Sequence, residues 1–345
     1  MSVTVTISTK DRYYTTLPLV LSAVINQTVT PDKILLFDDG LHLNLKKEPL
    51  YQDLFALMHQ KQIRSYVVFG KRVGQVANHQ HALDTVITDY IWRLDDDTVP
   101  ESNVLENLLK HININDKIGA VAGLVLPTTG GNKCPSYVTN NISDIHMGLN
   151  MQWFRHNSPE PISVQHLYSS FLFRKEAGRH GYCPFLSPVG HREETIFTHE
   201  MFRNGWGLSV LPTITTWHLR NPEGGIRSYR DKGMWAHDEN IFSKKLAEWG
   251  VTPNKYRIIV LDNDIGDHYA FKHIIKEVID KYHDHQIILA VCNKEVFDDI
   301  DGVNIVSIAD IKLMLSDITK HNIYTWMAEH NWSGNIIEAM RRMYL

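Results

Sequence analysis

Tyr90-Ile91-Trp92-Arg93-Leu94-Asp95-Asp96-Asp97-Thr98 is the stretch that decides the fold. Tyr90 to Leu94 reads as an apolar strand, and it runs directly into three carboxylates. Adjacent like charges repel, so a fold that gathers them at a strand end calls for a cation to neutralise them. Hard oxygen donors favour Mg²⁺ or Mn²⁺. Side chains two apart on an extended segment share a face, so Asp95 and Asp97 can converge on one ion while Asp96 points elsewhere. The competing reading is a solvated acidic turn in which Asp97 or Thr98 caps a helix with Pro100 and Glu101 in its first turn.

Working outward, the same design occurs earlier in the chain, where the apolar run Ile34–Phe37 ends in Asp38-Asp39-Gly40. Val3–Ser8 is a β-branched strand, and Thr15–Asn26 carries Leu17, Val20, Leu21 and Val24 at helical spacing, which makes a βαβ unit. Ser65–Phe69, Ala120–Leu126 and Ser170–Arg174 are further strands. Val76–Ile87 and Glu193–Arg203 are helices, and Leu208–His218 is a strand pair or an extended segment crossed by Pro212. Open α/β sheets bind ligands beyond the carboxyl ends of their strands, where both acidic clusters fall. Asp38-Asp39-Gly40 also fits an ordinary turn.

The chain has 345 residues, 43% hydrophobic and 21% charged, which suits a folded protein of about two domains. A net charge of −4 gives no global field drawing it to nucleic acid or an anionic bilayer. Cys134, Cys183 and Cys292 are far apart and odd in number, so neither a disulfide framework nor a zinc knuckle is implied, and a reducing cytoplasm suits them. No run reaches the ~18 apolar residues of a membrane span.

Over residues 3–220 the order of these signals resembles the family 2 glycosyltransferases of the GT-A fold. Val5–Arg12 looks like that family's first strand and nucleotide-contacting loop, and Ala23–Thr28 like its "S-x-x-x-Q-T" helix exit, with Ala23 in the Ser place. Asp38-Asp39-Gly40 is similar to the nucleoside-binding "DDGS", with Leu41 for Ser, and Asp95 with Asp97 matches the "DxD". The resemblance implies an α/β fold: a mixed, nucleotide-binding GT-A sheet flanked by helices. It further implies a nucleoside-diphosphate sugar as donor, a UDP-sugar first. Thr9, Asp11, Arg12, Asp38, Asp39, Asn78 and Asp96 would contact this donor, and Asp95, Asp97 and His218 would hold Mn²⁺ or Mg²⁺. His191–Phe197, followed by Gly205-Trp206, loosely resembles the "E-D" helix of the family, which makes Glu194 the implied catalytic base and Glu193 its rival. Direct displacement would invert the anomeric centre.

Residues 221–250 carry Arg220 at their edge, then Gly224, Gly225, Arg227, Arg230 and Lys232, a composition that suits either a lid over a diphosphate or a charged linker. Residues 251–345 hold three strand candidates, Arg257–Leu261, Gln286–Val291 and Val303–Ile308. They also hold a helix over Tyr269–Lys281 and an amphipathic helix over Ile336–Met343. We expect a small Rossmann-like accessory or dimerisation domain there, with Tyr324, Trp326 and Trp332 in its core. Asp262–His268 faintly resembles a turn of heptosyltransferase-like enzymes. Thr128–Ser163 is expected to face the acceptor, which can be a glycan, a lipid-linked glycan or a hydroxylated nucleobase. For DNA, Lys133, Arg155 and His156 would meet phosphate, and activity would fall steeply with salt. Two alternatives stay open: a non-catalytic nucleotide or sugar-binding module, and a sugar nucleotidyltransferase. The second normally has a Gly-rich loop after the first strand, where this chain has Thr9-Lys10-Asp11-Arg12.

Overall fold

The computed structural model describes residues 2–127, 160–219, 224–225, 232–250, 256–308 and 323–345. Lys133, Arg155 and His156, and most of the expected acceptor segment, lie outside them. Two compact units divide the chain, Met1–Val251 and Thr252–Leu345.

In the first unit, β1 (Val3–Thr9), β2 (Lys33–Asp38), β3 (Arg64–Phe69) and β4 (Tyr90–Asp95) form a parallel half-sheet in the order β3-β2-β1-β4. The helices α1 (Leu17–Ile25), α2 (Pro49–Gln60) and α3 (Gln75–Thr85) connect these strands. The sheet becomes mixed beyond β4, where β8 (Phe171–Arg174) pairs antiparallel with both β4 and β6 (Ile118–Pro127). The long β9 (Gly207–His218) runs parallel to β6 and takes β5 (Thr98–Pro100) and β7 (Ile162–Val164) antiparallel. β1 is buried at nearly every position, as a strand covered on both faces must be. Its core includes Val5, Ile7, Leu17, Val20, Leu36 and Leu94. In register, Ser8 lies beside Phe37 on one side and Asp95 on the other, so the acidic ends of β2 and β4 flank the end of β1.

The structure decides three local points. Thr98–Pro100 is not the start of a helix: it is β5, held by pairing Thr98 with His218, and α4 (Val104–Ile112) begins later. Leu208–His218 is one strand despite Pro212, because the register against β6 jumps from Gly123–Leu211 to Leu124–Thr215. Proline, lacking an N–H, sits in that irregularity where no ladder bond is needed. Pro49–Gln60, unassigned from sequence, is a helix that buries only Tyr51, Leu54 and Met58.

In the first unit α5 (Glu193–Arg203) lies between β8 and β9, and α6 (Lys232–Glu248) follows β9. The second unit is a parallel sheet β10-β11-β12 (Tyr256–Leu261, Gln286–Val291, Asn304–Ser307). The single helix expected over Tyr269–Lys281 is two, α7 (Ile265–Lys272) and α8 (Ile275–Lys281). The break lets the adjacent Ile274 and Ile275 both bury. Trp326 and Trp332 pack against this core, but Tyr324 is exposed and donates its hydroxyl to Asp267 (2.9 Å).

Candidate active site

The ends of β1 and β4 open on a cavity of about 200 Å³. Thr9, Arg12, Asp39, Asp95, Asp96, Asp97 and His218 all line it, joined by Gln75 from α3 and by Pro188 and Val189. The sheet therefore brings together seven of the twelve residues singled out in the sequence.

The three aspartates point three ways. Asp96 turns into the protein, accepting from Thr9 Oγ1 (2.7 Å) and pairing with Arg12 Nη1 (2.5 Å). Burial pushes its carboxyl up to about 6, against the pull of Arg12. Asp97 meets the same Arg12 Nη1 through Oδ2 (2.7 Å) and approaches His218 Nε2 through Oδ1 (3.4 Å). Burial alone would raise the Asp97 carboxyl, but His218 and Arg12 outweigh it and hold it below its ordinary value. Asp95 accepts from Ser169 Oγ (2.6 Å) and lies 3.2 Å from Arg93 Nη2.

The second acidic pair shapes the wall. Asp39 caps the loop after β3, accepting from Arg72 N (2.7 Å) and Gly74 N (2.8 Å). Asp38 is fully buried and accepts from Tyr13 Oη (2.6 Å) and Gly40 N (2.8 Å), behind the cavity and not in its lining. Asp11, in the left-handed region (φ 57°), accepts from Leu41 N (2.9 Å), and Asn78 donates to Ser8 Oγ (2.9 Å). Both brace the turns from outside the lining.

Glu193 and Glu194 open α5. Glu193 is fully buried against Arg93, and burial drives its carboxyl up to about 8, with Arg93 lowering it less than burial raises it. Glu194 is half-buried, outside the cavity lining, and near enough to Arg93 to act on it electrostatically.

Sequence reading missed two anchors. Arg93 is 1% exposed in the middle of β4, and a charge inside an apolar strand was the signal that could have exposed it. Asp238, on α6, is fully buried and accepts from Ser187 N (2.6 Å), Ser187 Oγ (2.8 Å) and His191 N (2.8 Å). It thereby fixes the loop that carries Pro188 and Val189 into the cavity. The Gly224-Gly225 pair returns to the same place, with Gly225 N donating to Lys10 O (2.8 Å) and Gly225 in the lining. The rest of the expected lid, Arg220, Arg227, Arg230 and the Lys232 side chain, lies outside the described residues.

Among the described residues no trio of acidic, histidine or cysteine side chains stands ready to enclose a metal. Asp97 Oδ1 and His218 Nε2 do fit a cation as a pair. Two donors each about 2.1 Å from one ion lie roughly 3 Å apart at right angles, close to their separation here.

The sequence profile described as Glycosyl transferase family 2 matches residues 4–176, half of the chain. The chain belongs to that family. The chain matches no curated protein in sequence. Among solved structures it is similar to GalNAc-T7 with UDP, GalNAc and Mn²⁺, at 16% identity and a TM-score of 0.52, over 93% of this chain and 58% of that one. It is also similar to S. aureus TarS 1-349 in complex with UDP-GlcNAc, at 13% identity and a TM-score of 0.46, over 65% of this chain and 60% of that one. The chain thus spans about three fifths of the length of those two chains. The first likeness shows a shared fold, the GT-A arrangement of a mixed sheet flanked by helices.

Proposed function

We propose that this glycosyltransferase moves a sugar from a nucleoside diphosphate, UDP first, to an acceptor hydroxyl with inversion. The observation that carries the reading is the approach of Asp97 to His218 in a cavity walled by Thr9, Arg12, Asp39 and Asp95, within a family 2 fold. The GalNAc-T7 structure holds UDP and Mn²⁺, in keeping with this reading.

Asp97 and His218 would hold Mn²⁺ or Mg²⁺, with Asp95 facing the same space. The metal, when bound, would offset negative charge gathering on the departing diphosphate. Thr9 and Asp39 would meet the nucleoside, and Asp96 holds Arg12 at the cavity wall. Asp38, Asp11 and Asn78 keep the surrounding turns in shape. Glu194 would take the acceptor proton, since Glu193 is committed to Arg93. Residues 1–220 would be the catalytic domain, 221–250 a lid or linker together with α6, and 251–345 an accessory domain. Among the described residues no helix is long and apolar enough to cross a membrane. Free Cys183 and Cys292 suit a reducing compartment, the cytoplasm.

A thermal-shift panel of nucleoside diphosphates and nucleotide sugars, run with Mn²⁺ and with chelator, tests the donor. A ligand at a hundred times its Kd stabilises by about 2.7 kcal/mol, a rise of roughly 4 °C for a chain this long. A UDP-sugar should give that rise with Mn²⁺ and lose it with chelator. A flat response to every nucleotide sugar would refute the assignment.

A further inference from the structure

Arg93 spends a buried guanidinium where a core side chain would do. Its neighbours on β4 are Trp92, 1% exposed, and Leu94, fully buried, and the strand packs on both sides. Taking such a cation out of water is costly unless its donors are all used. They meet acceptors on the turn before β8, on α5, on α3 and at the end of β4 itself. Nη1 donates to the Ser169 carbonyl, Nη2 to Glu193 on α5, and Nη2 also lies 3.2 Å from Asp95 Oδ1. Nε donates to His79 Nε2 (3.3 Å), whose imidazole burial and Arg93 keep neutral. Burial would lower the Arg93 pKa, and Glu193, Asp95 and Glu194 together more than offset this.

Each contact removes a rotation. With Oδ1 against Arg93 and Oδ2 on Ser169 Oγ, the Asp95 carboxylate is oriented from both ends. Glu193 is turned inward, and consecutive helix positions are about 100° apart, so its grip also sets the direction of Glu194. The N-terminal turn of α5 has no side-chain cap of its own, since Arg192 stands at the cap in the left-handed region (φ 74°). Arg93 ties that turn to the sheet through Glu193.

We propose that Arg93 is a positioning residue that sets Asp95, on the donor side, against Glu194, on the acceptor side, through one guanidinium. The inference rests on Glu194 being the base, and the test separates the two claims. Replacing a buried pair by apolar groups of similar volume commonly leaves stability intact, whereas removing one partner does not. The informative variant is therefore Arg93→Met with Glu193→Leu, with Arg93→Lys and Glu193→Gln as shape-preserving companions should the double change fail to fold. The assay follows nucleoside diphosphate release from whichever nucleotide sugar gives the largest thermal shift, alongside calorimetric binding of UDP with Mn²⁺.

Misplacement of reacting groups by about 1 Å costs on the order of 100-fold in rate. The double variant should melt near the native temperature and keep its UDP affinity and donor KM within about threefold, yet lose about 100-fold in kcat, on the same geometric ground. Arg93→Lys, which keeps the charge without the fork, should recover part of that loss. Native kcat in the double variant, or in both companions, would overturn the role of Arg93, as would a loss confined to KM. Native kcat in Glu194→Gln would instead overturn the base assignment, whatever the Arg93 variants do.

Discussion

Replacing Asp238 by Asn probes how firmly the cavity wall is tied down. The side chain is fully buried and satisfies three donors, two on Ser187 and one on His191. A hydrogen bond to a charged group contributes about 1.5–3 kcal/mol. Asparagine keeps one acceptor oxygen for Ser187 N, and the Ser187 hydroxyl can rotate to accept from the new amide. The His191 N–H, however, would then face another donor. One charged hydrogen bond is lost outright, and we expect a destabilisation of about 2 kcal/mol. With a urea slope of about 3 kcal/mol/M for a chain of this size, the unfolding midpoint should fall by roughly 0.7 M. The same loop places Pro188 and Val189 in the cavity, so calorimetry should show UDP affinity falling in step with stability. An unchanged midpoint together with unchanged UDP binding would refute the view that Asp238 fixes this wall.

Gly74→Ala should lower the melting temperature by several degrees, because its φ is +102° and a Cβ there would stand 2.3 Å from the Pro188 carbonyl oxygen, which is backbone. For Glu193 the sign of the pH effect follows from its raised carboxyl pKa: folding takes up a proton between the unfolded value, about 4.5, and about 8, so this group's contribution to stability declines as pH rises across that window. Melting curves from pH 5 to 8.5 should therefore fall less steeply for Glu193→Gln, and parallel slopes would contradict the assignment. Asp97→Asn should abolish the Mn²⁺-dependent part of the nucleotide thermal shift, and an undiminished Mn²⁺ effect would exclude Asp97 as a metal ligand.

Local pattern was enough for elements whose own residues carry the period of a strand or a helix. The apolar spacing of Glu193–Arg203 and the β-branched run at β1 read directly as helix and strand. Thr98–Pro100 was opaque because Thr98 is an excellent helix cap by type, while its strand state comes from pairing with His218, far along the chain. The candidate site divides in the same way. Asp95 and Asp97 stand out as a cluster, and Asp39 follows a strand. Arg93 and Asp238 act through Glu193, Ser169, Ser187 and His191, partners that no local window contains. Asp38 has the composition of a ligand-binding acid, but Tyr13 and Gly40 claim its Oδ1 in the interior.

The two glycines seated on the first loop limit how this molecule can vary. A side chain at position 224 would begin 2.7 Å from Arg12 Cγ and 2.9 Å from the Lys10 carbonyl oxygen, and one at 225 would begin 3.2 Å from Arg12 Nη2. Any bulk added there would press on the guanidinium that Asp96 and Asp97 share, transmitting a change in a peripheral connection straight to the acidic centre. Whatever else varies, this bare patch of backbone has to stay bare.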